Sequence, residues 1–406
     1  MGENEYNGGS RLIMSTLKVD GIRSNSATSD AITLASDGTC TAQLTNKHAT
    51  KNLIHNGAMT LAQYGITSTT EGYGTVDRFR TDWDGLNEAV TQSHHDLTSS
   101  ETPYSHGFTK KWKITNGDQT SIDAGDWLRI IQGIEAQNVR TSGWKYTDPN
   151  SYLTISFWVR SSVAQTYYFH VKSYDGTPQT YAHPYALSAN TWTKITHSIP
   201  GNANLQFDDD NNLGLDVQWA LYYGTNYTDS SASDNTWVAH NAASQTKVQT
   251  STWYDTNDAT FELTGAQLEV GDIVTDFQFE LKEDTLRRCQ RYYYVLADQA
   301  GGSTQRPVTN LTSYTTTHLY GVIDFPVTMA YPPSIISTSG TNYFVLYGGG
   351  GTTGIFAPQI YSARTSTTTN ELQIITTSPN LATAGSAYFA RTQNASARVA
   401  FTAEFF

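Results

Sequence analysis

The sequence is short of charge, of cysteine and of helical pattern, and each shortage removes a class of protein. Only 15% of its 406 residues are charged, and 25 Lys and Arg stand against 37 Asp and Glu, a formal net charge of −12. Phosphate binding needs clustered Lys and Arg, so no nucleic-acid partner is expected. No apolar run approaches the ~20 residues of a membrane span, and no membrane insertion is expected. Met1–Ser10 is polar and acidic, not basic and then apolar as in a signal peptide. The two cysteines, Cys40 and Cys289, lie far apart with no metal-ligand neighbours, and both read as free thiols. GxSxG and P-loop motifs are missing, and Gly348–Gly351 does not precede a helix with Lys-Ser/Thr. The chain is not expected to be an enzyme.

What remains is aromatic and β-branched. Aromatic residues make up 12% of the chain, among abundant Thr, Ser, Asn and Gly, a mixture suited to pleated surfaces and tight turns. The expected class is all-β. Residues 1–13 read as an upstream extension, with Met14 the more natural start. Residues 14–50 hold only short apolar pairs (Val19/Ile22, Ile32/Leu34) around a Ser36-Asp37-Gly38 turn, too few for a core of their own. This segment is expected to order only by docking on a partner or on copies of itself.

From Lys51 the texture changes to period-2 apolar runs separated by turns, the pattern of a β-sandwich over 51–280. Leu128, Ile130, Gln132 and Ile134 alternate, as do Leu153, Ile155, Phe157 and Val159. Tyr167, Phe169 and Val171 follow, then Leu215, Val217, Trp219 and Leu221, then Phe261 and Leu263. Each set should face a common core. Asp276–Tyr294 is the one stretch that reads as a helix, with Glu283 and Asp284 at its start and Arg287, Arg288 and Arg291 near its end. Leu281, Leu286 and Cys289 would form its apolar side. A helical connector is expected over 281–300 and a terminal β domain over 301–406. The aromatic LRRCQRYYYV should not stay wet, and a homotrimer is expected to cover it.

The chemistry-bearing clusters are modest. Asp208-Asp209-Asp210 supplies oxygen ligands of the kind calcium prefers, but without an EF-hand's spacing, so it reads first as a solvated turn. His94-His95-Asp96 and His106 lack a third metal ligand at a recognisable spacing and read as loop. Glu262 and Glu269 are about seven strand residues apart, roughly 23 Å, too far to act as a glycosidase pair. The outward positions of the sandwich are the better candidates: Trp158, Tyr168, His170, Asp216, Gln218 and Tyr222. Aromatic faces stack on sugar rings while polar neighbours fix hydroxyls, so these six are the expected glycan-binding residues.

Several strings carry a resemblance. NLIHNG at 52–57, the strand Leu153–Val159 and the strand Phe261–Gly271 resemble carbohydrate-binding jelly rolls of the CBM4/9 type. Taken together, NLIHNGAMTLAQYG, GYGTVDRFR, TFELTGAQLEVGDIVTDFQF and LRRCQRYYYV resemble a domain of phage tail-fibre and other virion structural proteins. FPVTMAYPPSI and ARVAFTAEF resemble the distal strands of such fibres, so the likeness runs over nearly the whole chain from Met14. The resemblance implies a tail fibre or tail-tip protein of the virion, made in the host cytoplasm. It would be held to other tail proteins by residues 14–50 and would bind host-surface glycan. A capsid-bound head fibre or decoration protein and a glycan-degrading depolymerase are the alternatives. Sugar-binding relatives often place an acidic pair in the closing strand, where it helps ligate a structural calcium. Thr264-Gly265 stands there instead, and Ala58 follows Asn56-Gly57 where Asp or Glu is frequent.

Overall fold

The computed structural model describes residues 19–23, 31–34, 36, 38, 40–42, 52–299, 301–339, 342–348, 351–356, 359–375 and 382–405. At 40–42, 351–356, 359 and 360 the description is of the backbone alone. The extension 1–13, the Cys40 thiol and the middle of the poly-Gly turn lie outside it. The chain divides into a small unit, Met1–Lys47, and a large one, His48–Phe406.

In the small unit, Gly21–Ile22, Ile32–Leu34 and Cys40–Ala42 form one antiparallel sheet in that order. Its described side chains are half-buried or exposed, as the scarcity of apolar residues requires.

The large unit begins with two antiparallel six-stranded sheets. The front sheet runs Thr193–Pro200, Tyr152–Ser161, Thr260–Val270, Lys110–Thr115, Thr91–Asp96, Thr67–Ser68 in spatial order. The back sheet runs Trp237–Ala239, Gln179–Leu187, Gln165–Ser173, Leu213–Tyr223, Trp127–Glu135, Arg80–Asp84. Alternation places the expected residues between them: Ile155, Phe157 and Val159 from the front meet Phe169, Val217 and Trp219 from the back. Edge-on ring packing fills this layer, with Phe157 meeting Phe169 at 5.9 Å and Trp219 at 5.7 Å between centroids. Gln132 shares the inward phase but is not orphaned. Its amide donates to the His55 carbonyl and accepts from the His55 N–H, both at 2.8 Å.

The expected helix is shorter than its charge pattern suggested. Helix spans Lys282–Gln290, with Glu283 and Asp284 in its first turn and Arg287 and Arg288 in its last. Leu281 precedes it and is exposed, so the apolar side reduces to buried Cys289, half-buried Leu286 and buried Thr285. Beyond it, Tyr293–Asp298 is a strand, because the backbone there pairs with Arg398–Thr402 from Tyr293↔Thr402 to Asp298↔Arg398. That terminal strand lies between Tyr293–Asp298 and Ser334–Ser337 in a three-stranded sheet. A seven-stranded antiparallel sheet packs with it around Leu311, Leu319, Phe344, Leu372 and Phe401.

The two β regions are joined by a buried polar knot. Arg78, itself at φ +71°, is fully buried and ion-pairs with Glu404. It also donates to the Gly133 carbonyl at 2.7 Å and lies 3.4 Å over the Tyr292 ring. Beside it, Arg291 donates twice to Glu135, at 2.6 and 2.8 Å, and the Tyr292 hydroxyl donates to the same carboxylate at 2.5 Å. Tyr64 stacks on Tyr293 at 3.7 Å. The aromatic string expected to need an oligomer is thus covered by the protein's own sandwich: Tyr292 and Tyr293 are buried. A Cβ on Gly133 would come within 2.7 Å of the Phe405 ring, so only glycine allows that ring to seat.

Removing one member of a buried, hydrogen-bonded ion pair leaves the other charge uncompensated and costs about 3–5 kcal/mol. Arg78→Met should therefore lower stability to denaturant by about that amount, measured by chemical unfolding. Glu371→Gln, which removes the carboxylate paired with the exposed Arg364, should change it by less than about 1 kcal/mol.

Candidate functional site

The six outward positions do not form one surface. Trp158 belongs to the front sheet, while Tyr168, His170, Asp216, Gln218 and Tyr222 belong to the back sheet.

On the back sheet the register sets His170 beside Gln218 and Lys172 beside Asp216. Their side chains do face away from the core, but His170, Asp216 and Gln218 are buried and Lys172 is half-buried. Arg129 donates to Asp82 at 2.9 and 2.6 Å and to Gln218 at 3.2 Å. Gln218 in turn donates to Asp216 at 2.9 Å, and the Tyr174 hydroxyl donates to Asp216 at 2.6 Å. His170 is closed in beside this network, and burial, reinforced by the Arg129 charge, pushes its imidazole down to about 3. Part of the cover comes from the segment after Tyr223: Tyr227 packs near Tyr223, and residues 231–233, 238–241, 244 and 245 line with Thr180 and Ala182 a cavity of about 220 Å³. Strict alternation also misplaces Tyr222. A bulge between Ala220 and Tyr222 shifts the phase, so Tyr223 stacks on His170, 5.8 Å away and 7° from parallel. Tyr222 instead stacks on Tyr254 at 4.4 Å.

The front sheet offers an open pocket. Phe157 and Val159 point inward, which turns Ser156, Trp158 and Arg160 outward. Trp158 stands between Lys194 and Thr264 on the neighbouring strands. Around it lies a cavity of about 310 Å³ bordered by Ser156, Lys194, Asp276, His106, Phe277 and Phe279. The His106 ring is 5.0 Å from the Trp158 ring, and Phe279 is exposed. Phe108 packs against Phe277 at 4.9 Å and Phe279 at 5.0 Å.

Two backbone features build this pocket. Gly265 sits in a register shift of the 260–270 strand with φ +63°, where a side chain would be strained. A Cβ there would also lie 2.7 Å from Phe108, so glycine leaves the room in which that ring packs. The segment 271–281 is an extended strap, not the start of the helix. Buried Glu269 accepts from the Thr275 N–H at 2.8 Å and its hydroxyl at 2.6 Å, and Gln267 accepts from the Gln278 N–H at 2.8 Å. These bonds deliver Asp276, Phe277 and Phe279 to the pocket rim. The place of the acidic pair does not fit a calcium ion: Gly265 is packed on Phe108, and Asn52 spends its side chain on Ile54, Ala266 and Leu268.

Beside the pocket is a compact charge cluster. Lys111 donates to Glu101 at 2.6 Å and to Glu262 at 2.9 Å, while Arg160 pairs with Glu262 and approaches Glu101 at 3.5 Å. The Trp192 indole donates to Glu101 at 3.1 Å. Burial alone would raise the Glu101 carboxyl, but Lys111, the Thr98 N–H and Trp192 outweigh it and hold it at about 2.

The remaining clusters are structural. His94 and His95 lie on the Thr91–Asp96 strand, not in a loop, and meet the Met59 carbonyl at 2.7 Å and the Ser93 hydroxyl at 3.0 Å. Asp210 accepts from the Asn212 N–H at 3.0 Å, and Tyr331 of the terminal domain donates to the Asn211 carbonyl at 2.6 Å. Among the described residues no three His, Cys, Asp or Glu side chains converge as a metal-ligating group.

A carboxyl held below its unfolded value stabilises the fold above that value, and the contribution disappears as pH falls through the folded value. Glu101 therefore stabilises the protein above pH 4.5, and this is lost between 4.5 and about 2. Glu101→Gln should lower stability at neutral pH and flatten its acid dependence in that window, measured as unfolding midpoint against pH.

No family model and no curated protein matches the sequence. Among solved structures, the enzymatically active domain of tailspike protein 4 from bacteriophage CBA120 aligns at 8% identity and TM-score 0.28 over 54% of this chain. The chain spans about a fifth of that protein, 21%. A protein from Bacteroides thetaiotaomicron described as sugar-binding aligns at 10% identity and TM-score 0.29, covering 55% of this chain and 100% of that one. A family 16 carbohydrate-binding module aligns at 12% identity and TM-score 0.22, covering 46% and 89%. At scores this low the likeness carries no argument about function.

Proposed function

We propose that this protein is a virion component of a tailed phage, a tail fibre or tail-tip subunit that attaches to host-surface glycan through the Trp158 pocket. The observation that carries the reading is the pocket's make-up. The Trp158 indole, 9% exposed, lines one wall, exposed Phe279 another, and Ser156, Lys194 and Asp276 supply donors and acceptors around them. Apolar ring faces with a few placed polar groups are what a pyranose presents a partner for. Its volume of about 310 Å³ suits one or two sugar units, hence weak binding. Three copies in a homotrimer would repeat the weak site and gain avidity without new contacts.

Binding is favoured over hydrolysis by the neighbouring carboxylates. A glycosidase needs one carboxyl with a raised pKa to protonate the leaving oxygen. Glu101 is held in the opposite direction, and Lys111 and Arg160 occupy both Glu101 and Glu262.

Trp158→Ala should weaken adhesion to host cells about tenfold or more, since truncating a central aromatic anchor costs more than ~1.4 kcal/mol. Exposed Lys194→Ala should weaken it less, with an unchanged thermal midpoint. Equal adhesion by both variants and wild type would remove this pocket from the site. A chain lacking residues 1–50 should keep a trimer's mass in dilute solution yet fail to enter particles. Normal incorporation would place the virion anchor elsewhere, and labelled chains on the capsid would favour the head-fibre alternative.

A further inference from the structure

In the seven-stranded sheet of the terminal domain, the strands Pro307–Ser313, His318–Asp324 and Ala387–Thr392 present one face to the core and expose the other. On the strand Ala387–Thr392 the alternation is strict: Tyr388, Ala390 and Thr392 are buried, while Ala387, Phe389 and Arg391 are exposed. The neighbouring strands Pro307–Ser313 and His318–Asp324 follow the same rule, burying Leu311, Leu319 and Ile323 and turning Asn310, Thr312 and Val322 outward. Large apolar side chains stand on this outer face, Phe389 at 51% and Val322 at 66% exposure.

These side chains line a groove of about 510 Å³ that follows the 307–313 strand. Phe389 forms one bank, directly across from Asn310. Tyr320 and Val322 form the other bank, with Tyr320 across from Thr312. The banks are two strand spacings apart, about 10 Å. Ala387 is the small residue that keeps the groove open at one end. Aromatics continue past both banks. Tyr347 pairs with Phe389 on the next strand and carries the Arg391 guanidinium 4.8 Å from its ring, and Tyr314 meets Tyr320 edge-on at 6.1 Å. The floor is uncharged and polar, an amide and a hydroxyl.

We propose that this groove is a second glycan-binding site, separate from the Trp158 pocket. An oligosaccharide would lie along the 307–313 strand with the apolar faces of its rings on Phe389 and Tyr320 and its hydroxyls on Asn310 and Thr312. The division of labour favours this occupant. Flat aromatic banks alone would suit any apolar partner, but a neutral hydrogen-bonding floor between them would be left unsatisfied by an apolar one, at a cost. Arg391, at the rim and beside Tyr347, is placed for an acidic substituent on the chain.

The test uses the full-length protein and a panel of cello-, xylo-, chito- and galacturonate hexasaccharides, titrated calorimetrically. Phe389→Ala and Asn310→Ala change exposed side chains and should leave the thermal midpoint in place. Each should raise the Kd for at least one panel member about tenfold, while Trp158→Ala leaves that same binding unaltered. Galacturonate binding that weakens with Arg391→Ala would support the placement at the rim. Wild-type affinity of Phe389→Ala and Asn310→Ala for every panel member overturns the proposal, as does binding of no member by the wild type. Loss of assembly mass in Phe389→Ala with unchanged sugar binding overturns it too, and makes the face a contact between copies. If Trp158→Ala binds every panel member and adheres to host cells like wild type while Phe389→Ala does not, the groove stands and the pocket falls.

Discussion

The structure of the large unit hangs on one guanidinium. Arg78 leaves the sandwich at a left-handed backbone position and reaches a carboxylate more than three hundred residues later, with no water left around either charge. Such a pair is a poor source of net stability against an apolar replacement, because desolvation offsets most of the attraction. What it provides is a unique fit. Only one docking of the terminal domain satisfies Arg78, Glu135 and Glu404 together, and any other leaves charges buried and unpaired. The strings NLIHNG, GYGTVDRFR, LRRCQRYYYV and ARVAFTAEF meet here: Arg288 donates to the Asn52 carbonyl, and Tyr73 to the carbonyl of Phe405. These four strings weld the domains, while TFELTGAQLEVGDIVTDFQF supplies Gly265, Asp276, Phe277 and Phe279 to the Trp158 pocket.

This explains what could and could not be read in advance. Period-2 alternation named the sandwich core almost residue by residue, because burial between two sheets leaves no other phase for Phe157, Phe169 or Trp219. It failed where a single inserted residue resets the phase, as between Ala220 and Tyr222. It was also silent about cover. Tyr168, His170, Asp216 and Gln218 face outward as expected, yet Tyr223 stacks on His170 while Arg129 and Tyr174 bond Gln218 and Asp216, and no local pattern announces such cover. Charge placement overextended the helix for a related reason. Residues 276–281 carry helix-compatible side chains, but buried Glu269 and Gln267 hold the strap 271–281 extended, and Tyr293–Asp298 finds a partner strand a hundred residues on. The Trp158 pocket was legible in one residue only. Its Phe277 and Phe279 were hidden inside the expected helix.

The two faces of the sandwich divide the work of their polar groups. On the back sheet, Arg129, Asp82, Asp216 and Gln218 spend their hydrogen bonds on each other, and the sheet is braced. On the front sheet, Glu101, Lys111, Arg160 and Glu262 spend their charges on one another to one side, and leave Lys194 and Asp276 among the aromatic rings around Trp158.

The strand Arg398–Thr402 lies in the middle of its sheet, although it follows both of its neighbours in sequence. Tyr293–Asp298 and Ser334–Ser337 leave the ribosome earlier and wait with bare edges on the order of seconds at ordinary translation rates. Arg78 waits as well, since its carboxylate partner, Glu404, emerges later still. A chain cut short before Arg398 would therefore expose two strand edges and leave that guanidinium without its counter-charge.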